Sequence, residues 1–176
     1  MRFNNSDPHR RNLRLPEFDY SQPGAYFVTI VTQDRKLLFG EVLNKEMILN
    51  EAGRMVTEIW RAIPEHFSNV ELGEFVVMPN HIHGIITITN LGTTHASPLP
   101  KLTNGPKPGS IGAIVGSFKS ATSKRNKELT KSHNHHLWQR NYYEHVIRNE
   151  RDYQAIYDYI LANPENWEKD KDLTSM

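Results

Sequence analysis

Two histidines separated by a single residue offer a pair of metal ligands. The run MPNHIHGIITIT places His81 and His83 at the start of an apolar stretch that is typical of a β-strand, directly after a Pro-Asn turn. Side chains alternate faces along a strand, so the two imidazoles project to one face with their α-carbons about 6.6 Å apart, while Ile82 enters the other face. The pair can therefore converge on one divalent cation, although two ordinary surface histidines are the competing interpretation.

A tyrosine and an asparagine near the C-terminal end offer a nucleophile and a third ligand. Tyr159 and Asn163 are four residues apart in a helical pattern, so they share a helix face and the amide oxygen lies near the phenol. A phenol has a pKa of about 10 and is a poor nucleophile at neutral pH, so it needs a cation to polarise its target and a base or water to take its proton. For any single tyrosine, packing is the competing interpretation.

The elements that must position these side chains follow from periodicity. Residues 25–32 predict a strand, and residues 74–78 and 82–89 predict a hairpin around Pro79 and Asn80. Helical spacing predicts one helix from an N-cap at Asn50 to about Pro64, one over residues 111–129, and one over residues 150–163 that ends at Asn163. The run LWQRNYYEHVIRN fits either a last strand or an irregular segment. This order predicts an α+β fold, with an antiparallel sheet and helices on one face.

Composition limits the classes of protein. The 176 residues, 38% of them hydrophobic, predict one domain over residues 1–176, with a basic N-terminal arm (1–15), a flexible loop (91–110) and a frayed tail (168–176). We expect a cytoplasmic protein, because no apolar run approaches the roughly 18 residues of a membrane span and the start lacks a signal sequence. Without cysteine, any metal must be held by histidine, carboxylate, amide or water.

The positive charge is concentrated in two segments. The net charge is +1, but residues 1–15 carry +3 and residues 101–148 carry +7, against −5 for residues 16–100 and −4 for residues 149–176. Such an arrangement predicts a polyanionic partner on one side of the protein, with a merely solvated basic loop as the alternative.

Basic and aromatic side chains of these segments are the candidate DNA contacts. The basic candidates can track phosphates, and Trp138, like the neighbouring Tyr142 and Tyr143, suits base stacking unless it packs on the sheet. Tyr143 is also the rival nucleophile, whereas the histidines at 133, 135 and 136 are interpreted as solvated loop residues. The predicted DNA-binding residues are Arg10, Arg11, Arg14, Lys119, Lys124, Arg125, Lys127, Trp138 and Arg140.

Several stretches resemble one protein family. FVVMPNHIHGIITI resembles the HUH motif (His, hydrophobic, His) of the REP-associated tyrosine transposases, which are relatives of the small single-strand insertion-sequence transposases. LPEFDYSQPGAYFVTIVTQDRKLLFGEV resembles the opening segment of that family, LWQRNYYEHVIRNERDY the approach to its nucleophile helix, and YILANP its nucleophile motif. The likeness covers residues 15 to 167 in the order of the family.

The resemblance implies a fold, a cofactor and an activity. It implies the HUH endonuclease fold with a ferredoxin-like sheet, Mg²⁺ or Mn²⁺, and transesterification on single-stranded DNA through a covalent 5′-phosphotyrosine. By position, His81 and His83 match the ligands, Tyr159 the nucleophile, and Asn163 the third ligand, which is Gln in many insertion-sequence relatives. Because Asn reaches one methylene less far, a water could bridge it to the cation.

The leading hypothesis is a bacterial, nucleoid-associated transposase or nicking-joining enzyme that acts on hairpins formed by repeated palindromic DNA, as a monomer or a homodimer. The alternatives are a non-catalytic DNA-binding protein of the same descent and a cupin-like metal enzyme acting on small molecules. The latter explains the histidines but not the distribution of charge.

Overall fold

The computed structural model describes residues 19–90, 106–131 and 136–174. The predicted arm with Arg10, Arg11 and Arg14, most of the predicted loop 91–110, and residues 133 and 135 lie outside the described residues. No helix among the described residues is long and apolar enough to cross a membrane.

Groups of strands alternate with groups of helices along the described chain. The strands are β1 (Gly24–Val31), β2 (Gly40–Leu43), β3 (Glu46–Leu49), β4 (Val70–Met78), β5 (His81–Ile88) and β6 (Tyr143–Ile147). The helices are α1 (Glu51–Arg61), α2 (Ile63–His66), α3 (Ile111–Thr130), α4 (Glu150–Leu161) and α5 (Asn163–Thr174).

Four strands form one antiparallel sheet in the order β4-β5-β1-β6. The hairpin of β4 and β5 places β5 beside β1, and the segment left open by the sequence becomes the edge strand β6. This is the strand order of the predicted ferredoxin-like sheet. The small hairpin of β2 and β3 forms a separate two-stranded sheet that the sequence analysis missed.

Helices cover both faces of the sheet, rather than the one face that was predicted. On one face, Val28 and Ile30 of β1 pack with Trp60 of α1 and Phe118 of α3 in the larger core cluster. On the opposite face, Phe27 and Ile85 pack with Ile160 of α4, which contributes a second and smaller cluster. Because β1 and β5 are apolar on both sides, both sides need a helix to exclude water.

The start of α1 follows the predicted capping chemistry, α4 is capped by a residue that was not predicted, and two helix ends differ from prediction. The Asn50 side chain accepts a hydrogen bond from the amide of Gly53 at the start of α1, and Asn149 caps α4 in the same way. α4 ends at Leu161, and after Ala162 the chain turns into α5. Tyr159 and Asn163 therefore lie on different helices, and the prediction that they share one helix face is wrong. The predicted tail 168–176 is therefore helical as far as Thr174.

Trp138 lies in the core, so the prediction that it stacks on DNA bases is wrong. Its side chain is only 5% exposed, packs against Phe39 and Phe118, and donates a hydrogen bond from Nε1 to Oγ1 of Thr122 at 2.8 Å. A ring enclosed in this way cannot stack on a nucleobase. The alternative given for Trp138, packing in the interior, is the one that the structure shows.

Candidate active site

The two candidate metal ligands lie side by side at the start of β5. His81 is paired with Val31 and His83 with Thr29 across β1, and the two imidazole ring centroids are 4.5 Å apart. The His83 ring is buried and stacks on Phe27 with a centroid distance of 5.3 Å. Both rings project to the face of the sheet that α4 covers.

The last turn of α4 brings Tyr159 to these histidines. Its hydroxyl lies 3.2 Å from Nε2 of His83, although 76 residues separate the two in the chain. The Tyr159 ring meets Phe27 edge-on at 6.1 Å and is 47% exposed. The phenol therefore contacts His83 on one side and solvent on the other, which leaves it accessible to a large substrate.

Asn163 opens α5 and is buried beside His81. The residue is 1% exposed, and its side-chain Oδ1 and Nδ2 make no hydrogen bond with any described residue. Nε2 of His81 is likewise buried without a hydrogen-bond partner in this part of the chain. Asn163 lies near enough to His81 to raise the pKa of that imidazole, without meeting the geometry of a hydrogen bond. Three unpaired polar atoms at one place would cost free energy unless a ligand satisfies them.

Burial keeps both imidazoles neutral. Loss of hydration lowers the pKa of His81 to about 4, an effect that Asn163 partly offsets and the positive charge of Arg35 increases. Burial, with a smaller contribution from His81, also holds the pKa of His83 well below its ordinary value. Neutral imidazoles have a free ring-nitrogen lone pair, which is the form that binds metals.

The site offers a divalent cation a mixed set of nitrogen and oxygen ligands. His81 and His83 supply two imidazole nitrogens and Asn163 an amide oxygen, a set compatible with Mg²⁺ or Mn²⁺. Among the described residues, no group of three or more His, Asp, Glu or Cys side chains could hold a metal ion. A site here depends on the amide as its third protein donor.

The lysines and arginines that were predicted to bind DNA, and that the structure describes, differ in whether their charged groups are free to contact phosphate. Lys119 is partly buried and donates from Nζ to the carbonyl oxygens of Gln139 and Arg140, at 2.6 and 2.9 Å. Burial also lowers the pKa of Lys119. Its first role is therefore to fix the segment before β6, rather than to contact phosphate. Lys124, Arg125 and Lys127 of α3 are exposed, as is Arg140, and Arg125 pairs with Glu128 at 3.2 Å.

Three residues that sequence reasoning missed touch the site. Phe27 packs against both His83 and Tyr159. Thr29 Oγ1 lies 2.8 Å from Nδ1 of His83, and Asn80 Oδ1 lies 2.7 Å from Nδ1 of His81. Asn80 could have been suspected from its place next to His81, whereas the contacts of Phe27 and Thr29 depend on the register between β1 and β5.

Comparison with known proteins gives relatives and a shared fold. No family model matches the sequence. An uncharacterized protein of Haemophilus influenzae is 40% identical, over 97% of this chain and 96% of the relative. A predicted REP-associated tyrosine transposase of the same organism is 25% identical, over 83% of this chain and 73% of that protein. The solved structure of a REP-associated tyrosine transposase bound to a REP hairpin has a TM-score of 0.56 at 21% identity, covering 88% of this chain and 74% of that chain, which shows a common fold.

Proposed function

We propose that this chain, which belongs to a family of transposase-like proteins related to the REP-associated tyrosine transposases, cuts and rejoins single-stranded DNA through Tyr159. The observation that carries the proposal is the 3.2 Å contact between the Tyr159 hydroxyl and His83, together with the buried polar atoms of His81 and Asn163 that have no hydrogen-bond partner among the described residues. A half-exposed phenol next to buried, neutral imidazoles is suited to attack on a large substrate.

The proposed reaction exchanges one phosphate ester for another. The Tyr159 oxygen attacks the scissile phosphorus, the bond from this oxygen to phosphorus forms, and the bond from phosphorus to the 3′ oxygen breaks. The phenol proton passes to solvent at this half-exposed site, and the departing 3′ oxygen takes up a proton as it becomes a hydroxyl. The product is a 5′-phosphotyrosine, from which an incoming 3′-hydroxyl can reseal the strand without ATP.

The buried donors have a separate role from the nucleophile. His81 and His83 through Nε2, and Asn163 through Oδ1, would hold Mg²⁺ or Mn²⁺, which when bound supplies positive charge to the scissile phosphate. Phe27 holds the Tyr159 ring from one side, so that the hydroxyl stays next to the histidines rather than turning into solvent.

The proposed substrate is a DNA hairpin of repeated palindromic sequence. The solved relative with the same fold is bound to a REP hairpin, and the exposed cations of α3 offer this chain a surface for phosphates. Arg140 is exposed in the segment before β6 and offers a further cation for the DNA backbone.

A comparison of Tyr159→Phe with Tyr143→Phe tests the nucleophile. Both tyrosines are about equally exposed, at 47% and 43%, and both meet Phe27 edge-on. With labelled hairpin DNA and Mn²⁺, we expect an SDS-resistant adduct for the wild type and for Tyr143→Phe, and none for Tyr159→Phe. The affinity of Tyr159→Phe for the hairpin should stay within about twofold of the wild type, because one hydroxyl contributes little to phosphate binding.

Two results would contradict the proposal. An adduct that persists in Tyr159→Phe and is lost in Tyr143→Phe would show that the nucleophile is Tyr143 of β6. A wild-type protein that binds the hairpin but never forms an adduct would leave DNA binding without catalysis as its function.

A further inference from the structure

We infer that Thr29 and Asn80 are positioning residues that hold the imidazoles of His83 and His81 with the proton on Nδ1, so that Nε2 of each ring keeps its lone pair for a divalent cation, which at His83 would replace the hydrogen bond from the Tyr159 phenol. This inference rests on the metal site of the proposed function. It concerns two residues outside the predicted ligand set, each in contact with one ligand.

Asn80 sets the His81 ring through an amide whose orientation is fixed. Its Nδ2 lies 3.4 Å from the backbone oxygen of Arg35, so the amide must present Oδ1 to the ring, at 2.7 Å from Nδ1. An amide oxygen can only accept, and Nδ1 of His81 must therefore carry the proton. The remaining nitrogen, Nε2, then has a lone pair and no partner among the described residues.

The backbone around Asn80 makes this arrangement rigid. The carbonyl oxygen of Asn80 accepts a hydrogen bond from the amide of Thr32 at 2.9 Å, and Oγ1 of Thr32, which donates to the carbonyl of Lys36 at 2.8 Å, lies 3.0 Å from the same oxygen. Asn80 itself is 3% exposed. The turn that delivers His81 to β5 is thus tied to the residue after β1, which fixes the backbone from which the acceptor for Nδ1 projects.

Thr29 acts on His83 from the neighbouring strand. The two residues are paired across β1 and β5, with Oγ1 of Thr29 at 2.8 Å from Nδ1. The other ring nitrogen faces the Tyr159 hydroxyl at 3.2 Å. Since a phenol is a much stronger acid than an alcohol, we assign the phenol as donor to Nε2 and the ring as donor from Nδ1 to Thr29.

The tautomer matters because a neutral imidazole carries a single proton. If that proton lies on Nε2, it points toward the proposed cation and blocks coordination. Partners that orient ligand histidines in this way typically change metal affinity by about 10- to 100-fold when they are removed.

Variants of Thr29 and Asn80 test the inference by a spectroscopic signature and by metal affinity. In ¹⁵N-labelled protein without metal, long-range proton-nitrogen spectra at pH 7 should show Nδ1-protonated rings for both histidines, assigned with His81→Gln and His83→Gln. Thr29→Val should shift His83 toward a mixture of tautomers and weaken Mn²⁺ binding by about 10- to 100-fold. Thr29→Ser keeps the hydroxyl and should retain both the His83 tautomer and the Mn²⁺ affinity of the wild type. Asn80→Asp keeps an acceptor and should keep the Nδ1 proton on His81, while Asn80→Ala should lose it.

A threonine on the same face of β5 is the matched control. Thr87 lies four residues beyond His83, about 13 Å along the strand, and Thr87→Val should leave the His83 tautomer and Mn²⁺ affinity unchanged. An unchanged His83 tautomer and Mn²⁺ affinity in Thr29→Val would overturn the inference. So would a wild type that binds no Mn²⁺, whereas a wild type that binds Mn²⁺ with both rings Nδ1-protonated but forms no DNA adduct would overturn only the proposed catalysis.

Discussion

The chemistry of the candidate site depends on two histidines that burial keeps uncharged. Each ring is supported on Nδ1 by an oxygen, while Nε2 of His83 meets a phenol and Nε2 of His81 meets no described partner. Such an environment opposes protonation, because an imidazolium would lose its hydration without gaining an anionic partner. The same burial that prepares the rings for a cation makes the fold sensitive to acid.

The free energy of unfolding should fall as pH drops from 6.5 toward 4. The pKa of His81 is 6.5 when unfolded and about 4 when folded, so between these values the unfolded chain binds a proton that the folded chain does not. The stabilisation is thus complete above pH 6.5 and is lost progressively toward pH 4, by at most about 3 kcal/mol for His81. Urea unfolding in EDTA at several pH values measures this.

His81→Gln should have a shallower decline between pH 6.5 and 4.5 than the wild type. His66→Gln, at an exposed position in α2, is the matched control and should follow the wild type. Equal slopes for all three proteins would show that His81 does not titrate as its burial indicates.

At the level of elements, the position of β5 against α1 determines where both histidines lie. Gly84 follows His83 directly, and a Cβ at Gly84 would come within 2.3 Å of Cζ2 of Trp60. That indole is fully buried between Phe75 and Phe118 and has no room to move. β5 can therefore pack this closely on α1 only because residue 84 has no side chain. Glycine is needed here for the space it leaves and not for its backbone conformation.

Gly84→Ala should destabilise the protein by about 1 to 3 kcal/mol, because the added methyl overlaps a ring that cannot shift. Gly116→Ala is the matched control in α3, where a Cβ would meet nothing within 4 Å. It should instead stabilise the protein by about 0.5 to 1 kcal/mol, since alanine favours the helix. Urea unfolding measures both, and a Gly84→Ala variant as stable as the wild type would mean that α1 can retreat from β5.

At the scale of the whole molecule, the uneven distribution of charge leaves α3 as the described element richest in exposed cations. Lys124 and Lys127 are exposed and have no ion pair with a described residue, while Arg125 already pairs with Glu128. Lys119, one turn earlier, is held by backbone carbonyls. The two free lysines are therefore the first to test as phosphate contacts.

Replacing Lys124 and Lys127 together by Gln should weaken hairpin binding and reduce its dependence on salt. Each lost phosphate contact lowers the magnitude of the slope of log K against log salt by roughly 0.7 to 0.9, so the double variant should lose about 1.5. Lys45→Gln, in the turn of the small hairpin within the acidic segment, should leave the slope unchanged. A double variant with the wild-type slope would place the DNA on another surface.

Local patterns predicted those features that depend only on neighbouring residues. The capping of α1 by Asn50, the strand β1 and the shared face of His81 and His83 follow from a few consecutive positions. Predictions that depended on what lies across the fold were less secure. Trp138 was placed at the surface because its neighbours are basic and polar, whereas Thr122 and Phe118, from a preceding helix, enclose it.

The sequence by itself determined that two imidazoles share one face of a strand, because strand alternation is set within a few residues. Only the tertiary structure decided that α4 lies over that face of the sheet, that the phenol reaches His83, and that Thr29 stands opposite the same ring. Those contacts depend on strand register and on which apolar face each helix covers, and both are settled by burial over the whole sheet rather than by neighbouring residues.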